Sequence, residues 1–408
     1  MLSSESTATH VLHAAIAPAE ELVDERRTLY RLAADLFGVD PAELSDNLVD
    51  HPIVRYEIGR ALAGHGDLTS EQLRAVAAMG VRDAGVPVAS DASAAAQLEA
   101  PLRIIKAPGT TPLPLTEADG QRFESAVEIV AEGVALLRRV APEMAGDLLA
   151  HVSMVAVLNR DTSGGVVSAS SRYAPGIVLI DEPSTPIEVA EALVHEGAHE
   201  KFFDLAITRE FLDSHAEEVE PFRSSWGGVP WPLEQVYAAW HAYSCLAQFS
   251  RLYGDGPLGP DSLLAVAAGR ATEIGRWLLD HESDIGVHAR WLLRSFMGEP
   301  GKRSEVDSGL LCPEVGADDR FRVRSDVRTR RAASGRVVVG QLVSRPPSIC
   351  WLSADASWLV SRLAVSVAFG SVLDEATELW AVDSGTASLR LRAALGSLLS
   401  SLIIEPVS

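Results

Sequence analysis

Apolar residues recur at helical spacing along most of this chain. From Glu20 to Phe37, Leu22, Leu29, Leu32, Ala33 and Leu36 fall on one face, which predicts an amphipathic helix. Glu117 to Leu149 carries two further runs of this kind, divided near Pro142 because proline cannot continue a helical ladder. The Pro- and Thr-rich stretch Ala100 to Pro114 between them is expected to be a loop. Residues 1–160 therefore read as a mostly helical N-terminal region whose task is to supply packing surface.

The period changes after Asp161. Val166 to Ser171 and Ile177 to Ile180 are short β-rich runs, and Ala174-Pro175-Gly176 between them predicts a hairpin. A helix follows from about Pro186 to Leu205. Thr185 is the expected N-cap, Pro186 suits the first helical position, and Glu188 three residues after the cap completes a capping box. A polar stretch containing Pro221, Gly227-Gly228 and Pro230 leads to a second helix, Pro232 to Leu252. These residues, 161–255, form the expected metal-binding core. A helical connector (256–319) holds the runs Ser262 to Leu279 and Val287 to Met297. The last part, 320–408, opens on an arginine-studded strand-like stretch and continues in two helical runs, Ala354 to Trp380 and Ser388 to Leu402. The fold class is thus mainly α (α+β): a helical metal-binding core with a short β-hairpin, plus a small C-terminal module.

Composition narrows the function. The chain has 408 residues, 47% of them hydrophobic, with a formal charge of −21. That balance argues against general nucleic-acid binding or adhesion to an anionic membrane, since both need a positive surface. The most apolar window, Trp358 to Leu373, is interrupted by Arg362 and too short to span a bilayer. The first residues lack a basic segment followed by an apolar stretch, so no targeting segment and a cytoplasmic location are expected. Cys245, Cys312 and Cys350 are too scattered for a disulfide framework or a metal knuckle.

The chemistry concentrates in Ala192-Leu-Val-His-Glu-Gly-Ala-His-Glu-Lys. His195 and His199 stand four apart in the predicted helix, so both imidazoles reach one ion, and Glu196 between them reaches its open side. Two structural histidines on a polar helix face are the alternative. A catalytic metal needs a third protein ligand and an open position. The longer metzincin form of the motif has glycine three residues past the second histidine, but Phe202 stands there. Candidates elsewhere are His215, the acidic cluster Glu217, Glu218 and Glu220, and His241. His241 is favoured, because an imidazole inside the otherwise apolar helix Tyr237 to Cys245 needs a polar partner. A hydrogen-bonded core histidine is the alternative, and the acidic cluster also fits a solvated loop.

Val167-Ser-Ala-Ser-Ser-Arg-Tyr-Ala-Pro-Gly-Ile-Val, followed by Ala190-Glu-Ala-Leu-Val-His-Glu-Gly-Ala-His, resembles the HExxH-motif peptide-modification family. These bacterial proteins are associated with ribosomally made, post-translationally modified peptides, and the domain also occurs beside radical-SAM maturases. The likeness covers about residues 120–255. Characterised members are iron(II)- and 2-oxoglutarate-dependent peptide β-hydroxylases. The resemblance therefore implies iron held by His195, His199 and His241, with 2-oxoglutarate paired to an arginine. It also implies a precursor peptide as substrate and other peptide-maturation enzymes as partners. Pro221-Phe-Arg223 looks like the family's Pro-Trp-Arg, and Pro232-Leu233 like its Arg-Pro-Leu. Trp231 stands where the second arginine would be, leaving Arg223 or Arg251 to meet the cosubstrate's carboxylate. Zinc with Glu196 as general base of a peptidase is the alternative, and a non-catalytic peptide-binding partner is a third reading. Trp351 to Val407 is similar to the winged-helix modules that grip precursor peptides, and Arg320 to Arg336 would attract an acidic leader. A charged edge strand protected from aggregation explains those arginines equally.

Overall fold

The computed structural model describes residues 18–105, 110–209, 211–212, 219–297, 315–342 and 347–407. His215, Glu217 and Glu218 lie outside the described residues. The chain divides into two units: residues 1–26, 44–59 and 70–302, and residues 27–43, 60–69 and 303–408.

Helix α1 (Ala19–Leu36) begins in the first unit and ends in the second, as the predicted amphipathic run does. Short α2 (Asp46–Asp50), α3 (Pro52–Leu62) and α4 (Ser70–Ala77) follow. Next come β1 (Val81–Asp83), β2 (Pro87–Ala89), α5 (Ala92–Ile105), α6 (Gln121–Val140), α7 (Pro142–Leu149) and β3 (Met154–Leu158). The site elements are β4 (Ser168–Ala169), β5 (Ile177–Asp181), α8 (Pro186–Thr208) and α9 (Leu233–Tyr253), backed by α10 (Leu264–Asp280) and α11 (Val287–Met297).

The architecture is mainly α with small sheets, as the apolar periodicity implies, but the expected hairpin is only the rim of a larger structure. β4 does pair antiparallel with β5, Ser168 opposite Ile180. Together they close a five-stranded sheet of order β1-β2-β3-β5-β4, in which β2, β3 and β5 run parallel and the two edge strands antiparallel. Three of these strands fall in the stretch expected to be helical, and the segment expected as a loop up to Pro114 contains the end of α5. The reason is burial on both faces. Val155, Val157, Val178 and Ile180 pack into a core with α6 to α9, whereas Met154, Ala156, Ile177 and Leu179 pack with Ile53, Leu98 and Leu102. A strand covered on both sides shows no alternation, so Met154-Val-Ala-Val-Leu carries no period-2 signal.

Helix α8 starts where Pro186 predicts, but its capping box is incomplete. Thr185 has extended φ/ψ of −144° and 152°, and its side chain makes no cap; its Oγ1 is buried without a hydrogen-bond partner. Glu188 instead accepts from the Ser184 amide at 2.8 Å, one residue earlier than the box requires. The helix crosses α6 very closely. A Cβ on Gly133 would come 2.5 Å from Val189 Cβ and 2.9 Å from the Pro186 carbonyl oxygen, so only glycine fits.

The second unit contains β6 (Arg320–Val323), β7 (Val327–Arg331), β8 (Val337–Gln341), β9 (Ser348–Trp351), α12 (Ala354–Arg362), β10 (Val367–Ala368), α13 (Phe369–Trp380), α14 (Ser384–Ser400) and β11 (Ile404–Val407). It holds two three-stranded sheets, β10-β6-β11 and β7-β8-β9. The run expected as one helix from Ala354 to Trp380 is two, interrupted by β10, which pairs with β6. Leu359, Leu363, Phe369, Leu391 and Leu395 form this unit's core with Phe321 and Val339. Several of the arginines are locally neutralised: Arg322 meets Glu405 at 2.7 Å and Arg324 meets Asp326 at 3.0 Å. Among the described residues, no helix is long and apolar enough to cross a membrane.

Candidate metal centre

Helix α8 carries the His-Glu motif through the middle of the first unit. His195 and His199 lie one turn apart, and their Nε2 atoms converge to 3.1 Å. No carboxylate stands between them. Burial, reinforced by His195 and opposed by Glu196, pushes the His199 imidazole down to about 4, so the ring is neutral near pH 7 and keeps a lone pair to donate. A neutral imidazole is the form that ligates a metal. Two nitrogens bound to one ion at ~2.1 Å each lie about 3 Å apart when they occupy neighbouring coordination positions. The pair fits a metal on separation, and His199 also on protonation.

The Ser-rich strand has a specific job. Ser168 Oγ donates to Glu196 Oε1 at 2.7 Å and Ser170 Oγ to Oε2 at 2.6 Å. Strand alternation places residues 168 and 170 on one face, and that face looks onto α8. Glu196, only 4% exposed, thus ties the motif helix to the sheet's edge strand. It also lines, with His195, Ser168 and Ala192, a cavity of about 770 Å³. The other wall comes from Asp181, Glu188, Glu191 and the loop Gly259 to Leu263. Glu191 accepts from Ser262 Oγ at 2.6 Å and from the Leu263 amide, which fixes that loop; burial raises its affinity for a proton.

Farther along α8, buried polar groups anchor the helix. Glu200 accepts from the Gly176 amide at 2.6 Å, and burial holds this carboxyl well above the usual range. Asp204 receives Arg26 at 2.7 Å and His151 Nδ1 at 2.6 Å; burial opposes its ionisation, but the Arg26 charge and the His151 hydrogen bond hold the carboxyl below its usual range. Lys201 meets Asp147 at 2.5 Å with both side chains buried. Burial lowers the Lys201 pKa, and its partner opposes that shift. The stretch Glu200 to Asp204, about one helical turn, is therefore pinned by one backbone hydrogen bond and by the charge contacts of Lys201 and Asp204, which fixes the rotation of the histidines about the helix axis.

The structure brings together His195, His199 and Glu196, as the spacing predicts. His241 lies on α9, fully buried, with Nδ1 2.9 Å from the Ala198 carbonyl oxygen. That contact suits a histidine whose other nitrogen serves a ligand, but among the described residues no group of three His, Cys, Asp or Glu is gathered to hold a metal. Arg223 is exposed and does not line the cavity; Arg251 is exposed too. Glu220 is exposed and also absent from that cavity. Phe222 and Trp231, the two departures noted in the sequence, face each other and exchange both backbone hydrogen bonds at 2.9 Å.

Sequence reasoning gave no role to Ser168, Ser170, Tyr243 or Arg160. The first two were legible, because an alternating Ser-x-Ser on a strand presents two hydroxyls to one side. Tyr243, whose ring stands edge-on to His195 at 5.7 Å, was hidden in an apolar helical run. Arg160 lines the cavity 22 residues before Glu182, whose carbonyl it binds. No protein-family model matches the chain, and no curated protein matches it.

Proposed function

We propose that this chain is an iron(II)- and 2-oxoglutarate-dependent oxygenase that hydroxylates a side-chain β-carbon of a ribosomally made precursor peptide. The observation that carries the reading is the histidine pair: two imidazoles converging at 3.1 Å, His199 kept neutral by burial and His195 at the wall of a cavity large enough for a peptide segment. Iron(II) bound there would supply, with 2-oxoglutarate and dioxygen, the oxidising power for C–H hydroxylation, releasing succinate and CO2. His195 and His199 hold the ion, and His241 is the proposed third ligand, its ring set by the Ala198 carbonyl. Glu196 is committed through both carboxylate oxygens to Ser168 and Ser170, which gives it an orienting task. The loop at Ser262, anchored on Glu191, forms part of the wall of the cavity beside His195. The Arg-rich C-terminal unit is the proposed seat of the precursor's leader segment, in the manner of a winged-helix module.

A zinc peptidase is the second reading, favoured by one observation. Glu196 still lines the cavity beside His195, where a general base would have to stand. Anaerobic purification followed by metal analysis separates the two. Iron, with succinate formed from 2-oxoglutarate in the presence of a cognate peptide, is the expected outcome. Zinc together with peptide cleavage that Glu196→Gln abolishes would establish the peptidase instead. Should His195→Ala leave every activity and the metal content intact, neither enzymatic reading survives.

A further inference from the structure

Among the described residues, the cavity beside His195 is lined by six carboxylates and one arginine, Arg160. That arginine is already matched: its Nε lies 3.5 Å from Asp181 Oδ2, and it donates to the Glu182 carbonyl oxygen. The Glu182 carboxylate is taken by Arg122, whose Nε donates to Oε1 at 2.7 Å. Glu196 is committed to Ser168 and Ser170. The other three, Glu188, Glu191 and Asp261, meet no lysine or arginine among the described residues. They gather at one end. Glu188, Glu191 and His195 follow at intervals of three and four on α8, so one helix face carries both acids up to the histidine. The loop Gly259 to Leu263 is pressed onto both acids. A Cβ on Gly259 would come 3.1 Å from Glu188 Cγ, and Glu191 accepts from Ser262 Oγ at 2.6 Å and from the Leu263 amide. Asp261 lies between those two anchor points and closes the group. Glu191 is only 9% exposed, and its two hydrogen bonds leave lone pairs to spare. Two further lining residues, Asp181 and Thr185, each carry a buried oxygen without a hydrogen-bond partner, so this wall is short of donors.

Carboxylates without counter-ions in a confined space set up a negative potential that draws a cation and repels an anion. Val167, Ile180, Ala192 and Leu263 add apolar wall to the same cavity, which suits a methylene stem that carries its charge to the far end. The helix rises by ~6 Å from Glu191 to His195, a span that the four-carbon stem of a lysine covers. We infer that this cavity selects its peptide by a lysine or arginine side chain, whose cationic end lodges at Glu188, Glu191 and Asp261 while its backbone end lies toward His195. The inference names the substrate class for the oxygenase reading and rests on that reading for the chemistry. An acidic side chain in this position would meet like charge, and an apolar one would leave the buried Glu191 uncompensated, so both are discriminated against.

The test is peptide binding without turnover, on the full-length protein freed of metal. Acetyl-Ala-Lys-Ala-amide is titrated calorimetrically beside two analogues: one with norleucine, which keeps the stem and drops the charge, and one with glutamate. Wild type is expected to bind the lysine peptide at least about tenfold more tightly than the norleucine peptide, the scale of one charge-assisted contact, and the glutamate peptide least. Glu188→Gln combined with Asp261→Asn should weaken the lysine peptide roughly tenfold, leave the norleucine peptide unchanged and so erase the preference. The two single variants, each expected to lose part of the preference, serve if the double variant does not fold. Raised salt should weaken the lysine peptide alone. Equal binding of lysine and norleucine peptides by wild type overturns the inference. So does tighter binding of the glutamate peptide, an undiminished lysine preference in the folded variants, or no binding of any of the three. None of these results touches the oxygenase reading, which stands or falls on iron content and succinate formation. A lysine preference in a protein that never forms succinate would remove that reading and leave the selectivity of the cavity in place.

Discussion

At the residue scale, the decisive contacts are the two hydroxyls on Glu196. Each is a hydrogen bond to a carboxylate in a partly buried setting, the class worth about 1.5–3 kcal/mol. Ser170→Ala is therefore expected to lower the unfolding free energy by about 1–3 kcal/mol, read as a shift in denaturant midpoint, with Ser170→Thr recovering part of it. The same substitution should leave the stoichiometry of any bound metal unchanged, since Ser170 bonds Glu196 and not a proposed metal ligand. His241→Ala makes the complementary prediction: metal affinity falls by at least about tenfold if it is the third ligand, and equilibrium dialysis against the metal reads the change. Unaltered affinity would assign His241 to the core alone. The sequence showed the histidine pair because a spacing of four is written directly in it. It could not show which partner each group meets, since Ser168 and Glu196 are 28 positions apart and only the fold brings them together.

At the scale of elements, α8 owes its orientation to contacts on every side. Gly133→Ala on α6 tests the closest of them. Alanine raises helix propensity by about 1 kcal/mol, but its methyl group would need the space that Val189 and the Pro186 carbonyl occupy. The clash should dominate and destabilise the protein by about 1–3 kcal/mol in chemical denaturation. The buried pair Lys201–Asp147 makes a second case. Lys201→Met alone strands a buried carboxylate and should cost about 3–5 kcal/mol, whereas Lys201→Met with Asp147→Leu should recover most of that loss. A double-mutant cycle measures the difference. Helix positions were legible from periodicity to within a few residues, as α1, α6, α7, α8 and α9 illustrate. β3 was not, because a strand buried on both faces presents an unbroken apolar run that reads equally as helix.

At the scale of the whole molecule, acid should weaken the fold through histidines that are buried without charge. His51 has both ring nitrogens buried without a hydrogen-bond partner, and burial and Arg55 push its pKa from 6.5 down to about 4. The unfolded chain then takes up a proton before the folded one does. Stability is full above pH 6.5 and is lost as the pH falls from 6.5 toward 4, by about 2–3 kcal/mol for this group. In denaturant titrations at pH 7 and pH 4.5, His51→Gln should lose less stability on acidification than wild type does. An equal loss in both would remove His51 from the account.

By itself the sequence determined the composition of helices, the position of the His-Glu motif within one of them, and the acidic balance that disfavours nucleic-acid partners. These follow from local rules: period, proline placement and net charge depend only on near neighbours along the chain. Tertiary structure alone decided that the hairpin is the edge of a five-stranded sheet and that Glu196 is held by it. It also turned α8 by its buried anchors and set the Tyr243 ring edge-on to His195. Each of these joins residues tens to well over a hundred positions apart, and long-range pairing is settled by burial and charge compensation in the folded protein, quantities that no local pattern carries.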